Sequence, residues 1–132
     1  MTFTDTHCHL ADPKLANTLP AVLAEAQAAG VARFIVPATS PKDWHSVAQL
    51  ERLSENIHIA LGIHPWFADG LNEVAFQELE KELIRHPQAW VGEIGLDFYG
   101  KEQTQAQRDT QTDVFIRQLI LAQHLNRLSL IH

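Results

Sequence analysis

Short apolar segments take turns with longer amphipathic segments along this chain, from its first residues to its last. Apolar residues in the longer segments recur every three or four positions, which is typical of helices packed on one side. A strand followed by a helix, repeated four times and leading into a fifth strand, predicts a parallel sheet with helical crossovers. The predicted strands comprise residues 2–9, 31–38, 57–62, 89–96 and 128–132.

Residue types that prefer helix ends delimit the four predicted helices. The predicted boundaries are Thr18 and Gly30 for the first helix, Ser40 and Pro41 for the start of the second, Asn72 and Pro87 for the third, and about Thr104 to Leu125 for the fourth. In the fourth helix, Phe115, Leu119 and Ala122 share the face that we expect to pack on the sheet.

The composition is that of one ordinary globular domain. The chain has 132 residues, 45% of them hydrophobic and 20% charged, and no linker interrupts it, so we predict a single domain over residues 1–132. Its formal net charge of −6 argues against a broadly basic surface that coats nucleic acid. The single cysteine, the lack of a signal-peptide pattern and the lack of a long apolar run predict a cytoplasmic protein without a membrane span. No obligate protein partner is indicated.

Two architectures fit this α/β pattern, an open doubly wound sheet and a (β/α)8 barrel of the TIM type. Five strands complete an open sheet, so the length alone favours that architecture. A barrel has eight strands and typically about 250 residues. In a barrel, this chain would therefore supply only the first five strands and four helices. The polar residues at the predicted strand ends decide between the two.

Two histidines lie close together at the end of the first predicted strand. His7 and His9 flank Cys8, and side chains two apart on a strand point to the same face. Two neutral imidazoles on one rigid element suit Zn²⁺ or a similar divalent ion. Asp5 precedes them at the same spacing. Its carboxylate is a candidate for a third metal ligand, or for a hydrogen-bond partner of one of the two histidines. An isolated pair of this kind is more often an ordinary polar strand end, but the neighbouring residues favour a metal site.

An acidic residue interrupts the fourth predicted strand. Glu93 lies in the segment VGEIG, which is otherwise apolar enough to be buried. Burying an unpaired carboxylate costs several kcal/mol, so the residue needs a cation or several hydrogen-bond donors. Arg33 is the one cationic residue in the neighbouring strand cores. We therefore predict that Glu93 bridges metal ions.

Two more histidines follow strands at the edge where active sites of parallel α/β folds collect. His64 follows the third predicted strand, and His132 ends the apolar segment of the fifth. A surface role for His64 and a role in contacting substrate are equally compatible with its position. Asp97 and Tyr99 follow shortly after Glu93. For each of them, contact with substrate and stabilisation of the loop are equally compatible with the position. The remaining histidines fall in helices or at strand starts, where a structural role is expected.

These segments resemble the TatD family of metal-dependent deoxyribonucleases. The most specific part of the resemblance is the block GEIGLD at 92–97, which comes after GIHP at 62–65. The pattern Asp-x-His-x-His is less specific, because it also occurs in amidohydrolases and in polymerase-histidinol-phosphatase domains. The resemblance runs from residue 5 to residue 132. Its motifs are DTHCHL at 5–10, GIHP at 62–65, GEIGLDFY at 92–99, the helix pattern Gln111, Phe115, Gln118, Leu119 and Ala122, and LIH at 130–132.

The resemblance implies a (β/α)8 barrel with two divalent metal ions (Zn²⁺, Mg²⁺ or Mn²⁺) at the carboxyl ends of the strands. It implies that His7 and His9 bind one metal, that Glu93 bridges both, and that His132 binds the second. His64 would lie beside the cluster, near the substrate phosphate. The family also uses a histidine on the sixth strand and an aspartate on the eighth, which lie beyond this chain. We therefore expect the chain to be the N-terminal part of such a barrel, and to be inactive by itself.

The resemblance further implies hydrolysis of DNA phosphodiester bonds by a water molecule that the two metals activate. DNA or a small phosphodiester is then the expected substrate. Two other assignments remain open. A related amidohydrolase or phosphoesterase barrel would use the same strand-end residues on another bond. A flavodoxin-like binding module without catalysis would leave Glu93 unexplained.

Overall fold

The computed structural model describes residues 1–99 and 102–132, and its five strands form one parallel sheet in sequence order. The sheet curls into a half-barrel with four helices in the connections, as the TIM-barrel prediction requires. The strands are β1 (Phe3–Asp5), β2 (Val31–Pro37), β3 (Ile57–Leu61), β4 (Trp90–Ile94) and β5 (Ser129–Ile131). The α-helices are α1 (Leu19–Ala28), α2 (Trp44–Leu50), α3 (Glu73–Arg85) and α4 (Gln105–His124), with short 3-10 turns at Pro13–Leu15 and Pro65–Phe67.

The first strand is shorter than predicted, so the expectation of a strand through His9 was wrong. Regular pairing with β2 ends at Asp5. The Asp5 carboxylate then accepts a hydrogen bond from the main-chain N–H of His7 at 3.1 Å, a local bond that replaces the regular strand pattern after Asp5. His7 and His9 therefore project from a loop at the strand end.

Side-chain caps explain where α3 and α4 begin, whereas Thr18 and Asp43 make no capping bond with the first turn of α1 and α2. Asn72 accepts from the N–H of Ala75, as predicted, and Thr104 forms a capping box with Gln107. The second helix begins at Trp44 rather than at Ser40. The cause is Asp43, whose carboxylate accepts from the N–H groups of Thr39 and Ser40 and holds them in a turn.

The core lies between the helices and the sheet. Val36, Ile59 and Leu61 from the strands, and Leu79 and Leu83 from α3, are almost fully buried. Residues 34–37 of β2 are buried in succession, as expected for a strand covered on both faces. This packing sets the strand ends in a row along one edge of the sheet. None of the described helices is both long and apolar enough to cross a lipid bilayer.

The inner face of α4 contains the three predicted residues and also buried polar ones. Ala122 is buried, but Phe115 and Leu119 are only half-buried against the core. The residues that point most directly inward include two glutamines, Gln111 and Gln118. An amide side chain tolerates burial when its oxygen and nitrogen both find partners, and here main-chain groups supply them.

Candidate metal centre

The five residues predicted to bind metal or substrate meet at the carboxyl edge of the sheet. His7 and His9 follow β1, and His64 follows β3. Glu93 lies within β4, and His132 directly follows β5. Residues separated by up to 125 positions in the sequence thus share one small volume because parallel strands end on the same side.

The Glu93 carboxylate lies at the middle of this cluster and is only 3% exposed. Its Oε2 atom is 3.1 Å from Nε2 of His7. Its Oε1 atom is 2.8 Å from Nδ1 of His132 and 3.7 Å from Nε2 of His64. The two carboxylate oxygens therefore face two different groups of imidazoles.

The first group consists of His7 and His9. Their Nε2 atoms are 3.2 Å apart, and the two rings meet edge to face. Cys8, between them, turns toward the sheet, where its main-chain N–H and its Sγ both donate to the carbonyl of Ile35. The two imidazoles thus lie on one side and the thiol on the other, as their spacing predicts.

The second group consists of His64 and His132, whose rings also meet edge to face with centroids 4.5 Å apart. The ring of His64 is buried, and this burial lowers the pKa of His64 although the charge of Glu93 opposes the shift. A lowered pKa keeps the imidazole neutral at neutral pH. A neutral imidazole has one N–H donor and one acceptor nitrogen.

The main chain around His64 is held from several sides. The N–H of His64 donates to the carbonyl of Thr39, just beyond β2. The Nδ1 atom of the His64 ring accepts from the N–H of Trp66 at 3.1 Å. That bond leaves Nε2 as the nitrogen that faces Glu93.

Asp97 adds a second carboxylate at the rim of the cluster. Its Oδ2 atom lies 3.6 Å from Nε2 of His132 and accepts from the indole N–H of Trp66. The main-chain N–H of Tyr99, followed by the Trp66 indole, holds the pKa of Asp97 below its usual value. Asp97 is therefore an anion that faces the Nε2 side of the His132 ring, whereas Glu93 faces its Nδ1 side.

Three other residues considered from the sequence lie apart from the cluster. The carboxylate of Asp5 bonds the main chain of His7 instead of joining the imidazoles. The side chain of Tyr99 is 93% exposed, and Arg33 lies exposed near the other end of β2. In the described part of the chain, the ion pairs of Glu93 involve histidines alone.

Donor atoms of these residues form two groups whose members lie within 4.8 Å of one another, His7–His9–Glu93 and His64–Glu93–His132. Imidazole nitrogens and a carboxylate suit Zn²⁺ and Mn²⁺, and the carboxylate also suits Mg²⁺. A buried carboxylate without a lysine or arginine partner in the described residues leaves its charge to be balanced by a cation. The donor set therefore fits divalent metal ions, with Glu93 common to both groups.

The residues that hold the site in place include Gln111 and Gln118, which belong to the helix pattern of the family resemblance but for which the sequence predicted no such role. Gln111 and Gln118 bond the main chain beyond β4 and β3, and the indole N–H of Trp44 donates to the carbonyl of Gly62. The available signal was a pair of glutamines seven residues apart, on the apolar face of a predicted helix.

The sequence of the chain is similar to those of a known protein family. The model of the TatD related DNase family matches residues 4–132. YjjV, an uncharacterised metal-dependent hydrolase of Escherichia coli, is 37% identical over 102 residues, which are 76% of this chain and 39% of YjjV. The human deoxyribonuclease TATDN3 is 32% identical over 134 aligned positions, 92% of this chain and 48% of TATDN3.

Solved structures agree with the sequence comparison. The crystal structure of Escherichia coli YjjV matches with a TM-score of 0.88 and 34% identity, over 98% of this chain and 50% of YjjV. A TatD family hydrolase from Entamoeba histolytica has the same fold, with a TM-score of 0.81 and 20% identity. The chain spans between 39% and 50% of the length of these relatives. With nearly every residue matched by the family model and the half-barrel reproduced in YjjV, the chain belongs to the TatD family of metal-dependent hydrolases.

Proposed function

We propose that residues 1–132 are the N-terminal half of a deoxyribonuclease that cleaves DNA phosphodiester bonds with two divalent metal ions. The position of Glu93 carries the proposal, because its two oxygens face two separate groups of imidazoles. A carboxylate so placed is suited to bridge two metals. The deoxyribonuclease activity in the name of human TATDN3 supports the choice of DNA as the substrate.

When bound, two divalent ions lower the pKa of water and offset the charge of phosphate oxygens. His7 and His9, at the end of β1, would hold one ion, and His132, at the end of β5, would hold the other. Glu93 would contribute a carboxylate oxygen to each of these two groups of ligands. His64 lies against both Glu93 and His132, on the side where a phosphate oxygen of the substrate is to be received.

Neutral imidazoles are essential to this arrangement. The lowered pKa of His64 keeps its ring neutral at neutral pH, and because Nδ1 accepts from the N–H of Trp66, the one ring proton lies on Nε2, which can donate to Glu93 or to a phosphate oxygen. The Asp97 carboxylate, 3.6 Å from Nε2 of His132, orients that ring and leaves Nδ1 directed at Glu93. A general base is not found among these groups, and we propose that an aspartate on the eighth strand of the complete barrel supplies it.

Substrate assays on the complete protein test the proposal. The protein, freed of metal and reloaded with Mn²⁺, Mg²⁺ or Zn²⁺, is given a DNA oligonucleotide, a phosphomonoester and an N-acyl amide. We expect metal-dependent cleavage of the oligonucleotide, lost with a chelator and lost in Glu93→Gln. Hydrolysis of the monoester or the amide without cleavage of DNA would overturn the proposal in favour of a related hydrolase.

A further inference from the structure

Two glutamines on α4 make the same unusual contact with two different strand ends. Oε1 of Gln118 accepts from the N–H of Ile63 at 2.7 Å, and its Nε2 donates to the carbonyl of Ile63 at 3.1 Å. Oε1 of Gln111 accepts from the N–H of Asp97 at 3.0 Å, and its Nε2 donates to the carbonyl of Asp97 at 3.2 Å. Each side-chain amide thus pairs with one residue of main chain as a neighbouring strand would.

These contacts begin where regular strand pairing stops. Strand β3 ends at Leu61 and β4 ends at Ile94. A buried main-chain N–H or C=O without a partner costs about 1–3 kcal/mol, so Ile63 and Asp97 need partners that the sheet no longer provides. Gln118 is fully buried and Gln111 nearly so. Since seven residues make nearly two helical turns, both amides lie on one face of α4.

Both paired residues adjoin the metal centre. Ile63 directly precedes His64, whose own N–H is bonded to Thr39. The carboxylate of Asp97 reaches His132. A shift of the main chain at Ile63 therefore moves the imidazole of His64, and a shift at Asp97 moves the carboxylate that faces His132.

We propose that Gln118 and Gln111 are positioning residues, which set the places of His64 and of Asp97 by pairing with the main chain at the two strand ends. The proposal rests on the proposed function for its effect on catalysis. Its effect on the main chain is independent of that function. Helix α4 then acts as a common support for the third and fourth strands on the side of the cluster.

Amide hydrogen exchange in the metal-free complete protein tests the contact without any activity. In Gln118→Met, we expect the N–H of Ile63 to exchange about tenfold faster or more, because its partner is gone. The N–H of Val91, bonded to the carbonyl of Leu128, should exchange at its original rate. Gln123→Met, an exposed glutamine on the same helix, is the matched control and should change neither.

A double-mutant cycle tests the effect on the reaction. Gln118→Met should lower kcat for DNA cleavage about tenfold in the protein with His64, and less than twofold when His64 is already alanine. Loss of general stability would lower kcat in both backgrounds and speed exchange at Val91 as well as at Ile63. Either of those results, or unchanged exchange at Ile63, overturns the proposal.

Gln111→Met provides the second variant should Gln118→Met not fold. Here the expected change is faster exchange of the Asp97 N–H with Val91 again unchanged, and equal exchange at Asp97 in variant and parent would overturn the proposal. If the parent protein cleaves no DNA, the proposed function fails while the exchange measurements still decide whether the glutamines hold the strand ends.

Discussion

Nδ1 of His132 lies 2.8 Å from Oε1 of Glu93, although 39 residues separate the two in the sequence. The contact follows from strand pairing, because Ile94 and Ile131, their neighbours in the chain, are register partners in β4 and β5. Whatever displaces one of these strands relative to the other therefore changes the distance between the two side chains. The cluster depends on sheet register as much as on the identity of its members.

Replacing Glu93 with glutamine tests whether one carboxylate serves both groups of imidazoles. The side chain keeps its shape but loses the charge that balances the cations. We expect the complete protein to lose at least one of two bound metals per molecule and its hydrolytic rate to fall by a factor of about a thousand or more. Metal analysis after gel filtration and single-turnover assays provide the measurement. Glu78→Gln, an exposed position on α3, should bind metal as the parent does.

A methyl group at Gly95 should disturb the centre through His132. Gly95 has a φ of +147°, and a Cβ atom there would lie 2.8 Å from the carbonyl oxygen of His132. We expect Gly95→Ala to lower the free energy of unfolding by about 2–4 kcal/mol and to weaken metal binding. Gly70 also has a positive φ, of +75°, but no neighbour within 4 Å of the added atom.

Comparing Gly95→Ala with Gly70→Ala separates the effect of backbone strain from the effect of the steric contact with His132. Gly70→Ala should cost about 1 kcal/mol and leave metal affinity unchanged. Denaturant unfolding and calorimetric titration with Mn²⁺ measure the two effects. Equal metal affinity in Gly95→Ala and the parent would show that the position of His132 does not depend on this close approach.

Arg127 is expected to stabilise the end of the sheet opposite the metal centre. Its guanidinium donates to the carbonyls of Leu83, His86 and Pro87, at the end of α3 and the turn into β4. Removing a charged donor from several carbonyls should lower the free energy of unfolding by about 2–3 kcal/mol in Arg127→Ala. The measurement is the urea midpoint at an unchanged m-value.

Arg85→Ala is the control for Arg127. Arg85 is largely exposed and pairs with Glu82 on the same helix, so its loss should cost less than about 1 kcal/mol. A midpoint shift as large as that of Arg127→Ala would contradict the interpretation. Metal binding should be unchanged in both variants.

The thiol of Cys8 should react slowly in the folded, metal-free protein. Burial, followed by the charge of Asp5, raises the pKa of Cys8 from 9.0 to about 12. The thiolate fraction at pH 8 is then about a thousandfold lower than in the unfolded chain, so alkylation should be slower by a similar factor. Mass spectrometry of the peptide that contains Cys8 follows the reaction.

The sign of the linked effect on stability follows from the raised pKa. Below pH 9 both states keep the proton, and between pH 9 and about 12 the unfolded chain releases it first. The folded state therefore loses stability as the pH rises through this range. Asp5→Asn should speed alkylation, since the neutral side chain no longer opposes the thiolate. An equal rate in Asp5→Asn and the parent would show that Asp5 has no such influence.

The residues at strand ends were predictable because their chemistry contradicts their surroundings. A glutamate within the apolar segment VGEIG, and histidines that follow apolar runs, need a reason that a solvent-exposed loop does not supply. The parallel order of the strands then brings them to one edge of the sheet. Strand–helix alternation predicts this order without knowledge of any side-chain contact.

Local hydrogen bonds between side chain and main chain changed where one strand ends and where one helix begins, which the spacing of apolar residues does not predict. The carboxylate of Asp5 ends β1 before His7, and the carboxylate of Asp43 delays the second helix to Trp44. Each change comes from a short side chain that competes with the main-chain pattern. The spacing of apolar residues does not indicate where such side-chain hydrogen bonds form.

Sequence alone determined the order of elements and which residues carry ligand chemistry, since both depend on residue types within one segment. Tertiary packing decided the rest: that each oxygen of Glu93 faces its own group of imidazoles, and that Gln111 and Gln118 are buried more deeply than Phe115 and Leu119. These outcomes arise between segments far apart in the chain. They are set by strand register and by main-chain groups left unpaired at the strand ends, which exist only once the sheet has formed.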